Sequence, residues 1–203
     1  MLIFPNARIV LFAVPKTATT ALETALAPHA GIVLRNPPGI KHMPLYRYYR
    51  HFLPLLERSG LKKLETLAVV REPVSWLGSW FRYRSRPEIA GQPQFTGNID
   101  FDSFVRAYLM NEQPECARVG SQARFLSDES GRPAVDRLFA YEDIGALTGY
   151  LGARLGANIS LPRRNASPRR PLDLSKQTES LLRRKHATDF ALWKAALAGR
   201  GGK

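Results

Sequence analysis

Two basic residues stand at positions suited to holding an anion. Lys16 lies in Pro15-Lys16-Thr17-Ala18-Thr19-Thr20, a stretch of small and hydroxyl-bearing residues. Arg71 closes the apolar run Leu64-Glu-Thr-Leu-Ala-Val-Val70 and opens Arg71-Glu-Pro-Val-Ser-Trp-Leu-Gly-Ser79. A lysine brings a mobile point charge, whereas an arginine brings a planar fork that grips a phosphate through two parallel hydrogen bonds. Ser79 adds a hydroxyl donor on the segment that follows. Alone, Arg71 is equally suited to pairing with Glu72 or Glu142. The company of Lys16 points to a ligand.

The elements around these residues give both the same address. Arg8 to Val14 is a nearly continuous apolar run, the pattern of a strand buried on both faces, and Pro15 stops it. Ala21 to Leu26 reads as a helix from its strong formers and its Leu22/Leu26 spacing. Strand, tight loop and helix in that order present unpaired backbone N–H groups and a favourable dipole to an anion. The small residues let a phosphate or sulfate approach the backbone, and the hydroxyls of Thr17, Thr19 and Thr20 are further donors. A second strand is expected at Gly31–Leu34, a basic aromatic helix at Pro44–Arg58, and the best central strand at Leu64–Arg71. A helix from Pro73 to Arg84 follows, then a long polar loop over 86–99 and a helix over Phe101–Met110. A short helix near Gln122–Leu126 precedes a strand at Arg137–Tyr141 and a helix capped by Asp143 that ends near Gly156. Helices at Ser175–His186 and Thr188–Ala198 complete the chain. Strands alternating with helices predict an α/β fold, three-layered around a mostly parallel central sheet flanked by helices. One domain is expected over 1–198, with a flexible tail at 199–203. Ligands gather at the carboxyl ends of strands in such sheets, and Lys16 and Arg71 both lie just past such an end.

Composition narrows the classes. With 203 residues, 44% of them hydrophobic and 23% charged, the chain has enough apolar surface for a core, which excludes a wholly disordered protein. The net charge of +13 favours an anionic partner. Basic clusters at Arg163-Arg164, Arg169-Arg170 and Arg183-Arg184-Lys185 suit a nucleic acid, a polyanionic cofactor or simply a solvated face. The single cysteine, Cys116, excludes an internal disulfide framework and a multi-cysteine zinc site, and suits a reducing cytosol. No stretch reaches the roughly 20 apolar residues of a membrane span, and Ile9–Val14 lacks the leader and cleavage site of a signal peptide. A cytoplasmic protein is therefore expected. The lysine loop contains no glycine, so it departs from the G-x-x-x-x-G-K-[ST] pattern of nucleotide triphosphatases. The strands end in Arg71 and in Tyr141-Glu142 rather than in a clear acid for Mg²⁺. A nucleotide kinase of related fold and a basic nucleic-acid-binding module are the competing readings.

Pro-Lys16-Thr-Ala-Thr-Thr resembles the 5′-phosphosulfate-binding loop of sulfotransferases. Val-Val-Arg71-Glu-Pro-Val-Ser-Trp-Leu-Gly-Ser79-Trp-Phe resembles their 3′-phosphate-binding segment, in which an arginine precedes a serine by eight positions. Phe139-Ala-Tyr-Glu-Asp-Ile144 and Leu161-Pro-Arg-Arg-Asn165 resemble further landmarks of the bacterial and Golgi carbohydrate-type branch, so the resemblance covers nearly the whole chain. It implies a P-loop-like fold and 3′-phosphoadenosine 5′-phosphosulfate as donor, with adenosine 3′,5′-bisphosphate as product and no metal. Two departures stand out. Ala18 occupies a position where many relatives carry glycine, and the C-terminal Arg-Lys-Gly motif of the cytosolic small-molecule branch is absent. Its 3′-phosphate role would fall to Arg163, Arg164, Arg169 or Arg170.

The same resemblance distributes the remaining roles. Lys16 and the Thr17, Ala18, Thr19 and Thr20 backbone would hold the 5′ end of the donor, with Lys16 acting on the leaving oxygen. Arg71 and Ser79 would hold the 3′-phosphate, and Asn165 would serve the nucleotide or fix its loop. Of the four histidines, His42 in Lys41-His42 matches the family's catalytic-base segment, ahead of His29, His51 and His186. Glu23 is the fallback base, and Lys41 is a candidate contact for anionic groups. Trp76, Trp80 and Tyr83, at helical spacing, read as a core stripe before a binding platform. The loop from Arg86 to Asn98 is the candidate acceptor lid. Sugar, lipid headgroup, peptide and small alcohol acceptors all remain open, and nucleic acid is not expected as a partner.

Overall fold

The computed structural model of the chain describes residues 1–162 and 170–199. It divides into two compact units interleaved in sequence: 1–71, 121–162 and 192–199 form one, and 72–120 with 170–191 form the other. Among the described residues, no helix is long and apolar enough to cross a membrane.

The first unit holds a five-stranded sheet built from β1 (Leu2–Phe4), β2 (Ile9–Phe12), β3 (Ile32–Val33), β4 (Glu65–Val70) and β5 (Arg137–Ala140), in the order β3-β1-β2-β4-β5. β2, β4 and β5 pair in parallel, whereas β1 is antiparallel to both β2 and β3. The α/β class holds, but the mostly parallel sheet expected above is corrected to a mixed one. The cause is a hairpin. Leu2–Phe4 folds back on Ile9–Phe12 through a turn closed by the Arg8 amide on the Pro5 carbonyl at 3.1 Å, with Arg8 at φ 53°. A connection this short can join only antiparallel strands. The sequence reading begins its first strand at Arg8 and so leaves the hairpin out.

Helices cover both faces of this sheet. The helices of this unit are α1 (Thr19–Leu26), α2 (Pro38–Lys41), α3 (Leu45–Arg47), α4 (Leu53–Arg58), α7 (Gln122–Phe125), α8 (Ile144–Leu155) and the end of α10 (Ala187–Leu197), of which α2 contributes nothing to either core. Alternate strand residues enter two separate cores. Val10, Phe12, Ala68 and Val70 pack with Leu45, Tyr48, Leu126 and Leu192, while Ile9, Leu11, Leu67 and Val69 pack with Leu22, Leu26, Leu147 and Leu151. All four residues of β2 are buried, which is why its sequence is apolar at every position. The helix expected at Pro44–Arg58 contains a π-helical turn at Tyr48–Phe52, closed by the Leu53 amide on the Tyr48 carbonyl. Pro54 has no amide to return to Arg50 and its ring would crowd that carbonyl, so the widened turn just before it relieves the conflict. Asp143 stands at the N-cap of α8 without a side-chain cap bond, and Gly156 ends the helix at φ 63°.

The second unit is built from α5 (Pro73–Arg84), α6 (Phe101–Tyr108), α9 (Lys176–Lys185) and the first half of α10, around Trp76, Leu77, Phe81, Phe101, Phe104, Leu182 and Phe190. The long loop after α5 is pinned at its far end. Thr96 is fully buried and donates its hydroxyl to the Phe81 carbonyl at 2.7 Å. Arg170 donates to the Thr96 and Ile99 carbonyls at 3.0 and 2.8 Å, with its guanidinium 4.2 Å from the Phe81 ring centre. The portion around 87–93 is largely exposed.

Candidate functional site

The lysine turn begins where β2 ends. Ala13 and Val14 are still buried, and the chain then reverses with Lys16 at φ 67° and Ala18 at φ 62°. Both lie in the left-handed region, which costs about 1–2 kcal/mol for a residue with a Cβ. Neither is glycine, so something must hold them. Thr17, between them, is 1% exposed and donates its hydroxyl to the Val14 carbonyl at 2.8 Å. The Ala18 carbonyl accepts the first helical bond, from the Leu22 amide at 3.0 Å. Ala18 is thus the N-cap of α1, and the first-turn amides behind it point out of the strand end with the positive end of the helix dipole. The reading of the Thr17 hydroxyl as an anion donor is corrected: it is committed to Val14 and braces the turn. Thr19, half-buried, and Thr20, exposed, open α1.

Arg71 emerges beside this turn. β2 and β4 are adjacent and parallel with Phe12 opposite Ala68, so their carboxyl ends open on one sheet edge. The Arg71 main chain is held by a side chain not singled out from the sequence. Gln122, 1% exposed, accepts the Arg71 amide on Oε1 and donates Nε2–H to the Arg71 carbonyl, both at 2.8 Å. The Arg71 guanidinium lies 4.3 Å from the centre of the Tyr141 ring, just past the end of β5. Glu72 caps α5, its carboxylate accepting the Ser75 amide at 2.7 Å. Ser79 is half-buried in the second turn of α5, in the helical unit.

His42 completes the group in the sheet unit. It follows α2, and its Nδ1 lies 2.7 Å from the carbonyl oxygen of Ala13, at the foot of the lysine turn. A carbonyl only accepts, so Nδ1 carries the proton and the neutral ring keeps its lone pair on Nε2. Burial pushes the His42 pKa below the usual histidine value; the Ala13 bond opposes this, and the charges of Lys41, the Met1 amino group and Lys16 reinforce it. The ring is therefore a neutral base at pH 7. Glu23 has a different environment. Its carboxylate pairs with Arg35 and, at 2.7 Å, with the Lys41 ammonium. Burial raises its pKa, but the hydrogen bonds from Lys41 and Arg35 outweigh this and hold it below the ordinary range. A carboxylate so stabilised is a poor proton acceptor, and Glu23 instead ties Lys41, the neighbour of His42, to α1.

The other histidines lie elsewhere: His29 in a turn after α1, His51 exposed in the π-helical turn, and His186 stacked on Tyr108 at 4.6 Å. Arg163, Arg164, Asn165 and Arg169 fall outside the described residues. Arg170 directs its guanidinium to its own unit's carbonyls. Arg183 pairs with Glu179 at 2.7 Å and lies over Phe190, and Lys185 donates to the Leu109 carbonyl at 2.8 Å. Trp76, Trp80 and Tyr83 form an edge-to-face ladder with ring centres 6.2 and 6.0 Å apart. Arg84 lies over Trp80 and Arg86 over Tyr83, so the stripe is packing rather than an open platform.

No family model, no curated protein and no solved structure matches this chain.

Proposed function

We propose that this chain is a cytoplasmic sulfotransferase that uses 3′-phosphoadenosine 5′-phosphosulfate and an acceptor hydroxyl or amine. The observation that carries the reading is the pair of left-handed residues, Lys16 and Ala18, at the end of β2. Backbone strain in residues with a Cβ persists where the surroundings over-determine it, and it is commonest at ligand clamps. The turn sets Lys16 close in sequence to a helix N-terminus, the combination a phosphosulfate calls for. Helices on both faces of the sheet and the lysine turn between β2 and α1 support reading the fold as a three-layer, P-loop-like arrangement to which β1 and β3 are additions.

The residues fit such a donor by the chemistry they offer. Bound there, the donor would supply a sulfuryl group for in-line displacement by the acceptor. Lys16 and the amides at the start of α1 would stabilise charge on the oxygen bridging to the 5′-phosphate. Arg71 would hold the 3′-phosphate by a bidentate grip, so that remote binding orients the reactive end. His42 would take the acceptor proton on Nε2 while Nδ1 stays on Ala13. The competing nucleic-acid reading loses support, because Arg183 and Lys185 of the best-defined basic cluster are engaged within their own unit.

Thermal denaturation separates the three readings. Adenosine 3′,5′-bisphosphate at ~100 times its dissociation constant should raise the melting temperature by roughly 5–10 °C for a chain of this size, without metal. A shift with ATP and Mg²⁺ alone would favour the kinase. Salt-sensitive stabilisation by an oligonucleotide alone would favour the nucleic-acid module.

A further inference from the structure

We infer that Gln122 and Tyr141 are positioning residues that pre-set Arg71 for its anion; the inference rests on the reading of Arg71 as the 3′-phosphate ligand. At Arg71 the chain has just left β4, whose last residue, Val70, still pairs with Ala140 of β5. Past that point a peptide unit at a sheet edge ordinarily turns to water. Here Gln122 replaces the missing strand, meeting both the N–H and the C=O of Arg71 at 2.8 Å with one fully buried side-chain amide. The match is specific. A primary amide offers one donor and one acceptor in a plane, the same pair that a neighbouring strand would offer. Ser121 caps the turn that carries Gln122 by accepting the Arg124 amide at 3.1 Å.

Tyr141 acts on the other end of the residue. Its ring lies 4.3 Å from the Arg71 guanidinium carbon, just past the end of β5, the strand paired with β4. Cation–π attraction engages the face of a guanidinium, whereas a phosphate is gripped by the N–H groups in its plane, so stacking and phosphate binding are compatible. With the backbone fixed by Gln122 and the head steered by Tyr141, Arg71 has few rotamers left to lose when the anion arrives. Ordering a long side chain beforehand raises affinity by about three- to tenfold.

Titration calorimetry with adenosine 3′,5′-bisphosphate tests this on the full chain. Gln122→Leu and Tyr141→Leu should each weaken binding about three- to tenfold relative to the wild type. Gln122→Glu supplies a readout that mere packing would not move. Its ionised carboxylate cannot donate to the Arg71 carbonyl, but the protonated acid offers the same donor and acceptor as the amide. Its affinity should therefore approach that of the wild type, compared at equal pH, as the pH falls. Should Gln122→Leu fail to fold, Gln122→Glu and Tyr141→Leu decide the matter. Folded variants that bind the bisphosphate as the wild type does, with no pH-dependent recovery, would overturn the positioning role while leaving Arg71 as ligand. Failure of the wild type to bind the bisphosphate would instead remove the sulfotransferase reading itself.

Discussion

The turn that carries Lys16 and the strand end that carries Arg71 open on the same sheet edge, yet they are built in opposite ways. Lys16 sits on strained backbone, with left-handed residues on either side of Thr17 and one buried hydroxyl as a brace. Arg71 sits just past the end of β4, where Gln122 extends the pairing by two hydrogen bonds, with an aromatic ring against its head. The difference matches the tasks proposed for them. A group that meets charge developing during a reaction benefits from aligned donors beside it, and the turn sets Lys16 just before the start of a helix. A group that holds the unreactive end of a nucleotide needs a fixed direction, and the clamped strand end supplies that.

Substitutions break the comparison at different points. The largest effect is expected from His42→Ala, which should lower turnover about 10²–10⁴-fold while leaving bisphosphate affinity intact, read by steady-state assay and calorimetry. The pH profile of the wild type should agree with it. The neutral ring is the active form, and burial sets its pKa below the usual histidine value. Activity should therefore lie on a plateau at neutral pH and fall only as the ring protonates below about pH 6.5. Lys16→Ala should cost roughly 10²–10³ in kcat with a smaller effect on melting temperature, since the Thr17 hydroxyl that braces the turn is kept. Arg71→Lys keeps the charge but loses the fork, and should weaken the bisphosphate by about tenfold in calorimetry.

The sharpest contrast in legibility lies within the same pair of regions. The strand, the turn and the helix around Lys16 are readable because an apolar run, a proline and a hydroxyl-rich stretch follow one another locally. The left-handed conformation of Ala18 is not, because the usual marker for it is glycine and this chain has none in the turn. Arg71 is readable as the end of the best central strand. Its clamp is not, because Gln122 is 51 residues away and nothing in Ser-Gln-Ala-Arg-Phe marks a glutamine that will be buried. The commitment of the Thr17 hydroxyl to Val14 is likewise a fact of tertiary geometry. The mixed sheet escaped for a simpler reason, since Leu2–Phe4 is only three residues long and gains strand character from its partners.

The smallest effect probes the strain directly. Ala18→Gly relieves a Cβ in the left-handed region and should stabilise the fold by about 1 kcal/mol, a rise of roughly 2–4 °C in melting temperature for this size. A fall would mean that the turn is not strained at Ala18.

The most direct test of the central claim is a crystal structure with adenosine 3′,5′-bisphosphate. The expected result is one nucleotide whose 5′-phosphate meets Lys16 Nζ and the amides that open α1, and whose 3′-phosphate meets the Arg71 guanidinium. A nucleotide seated elsewhere, or Lys16 and Arg71 engaging separate ligands, would contradict it.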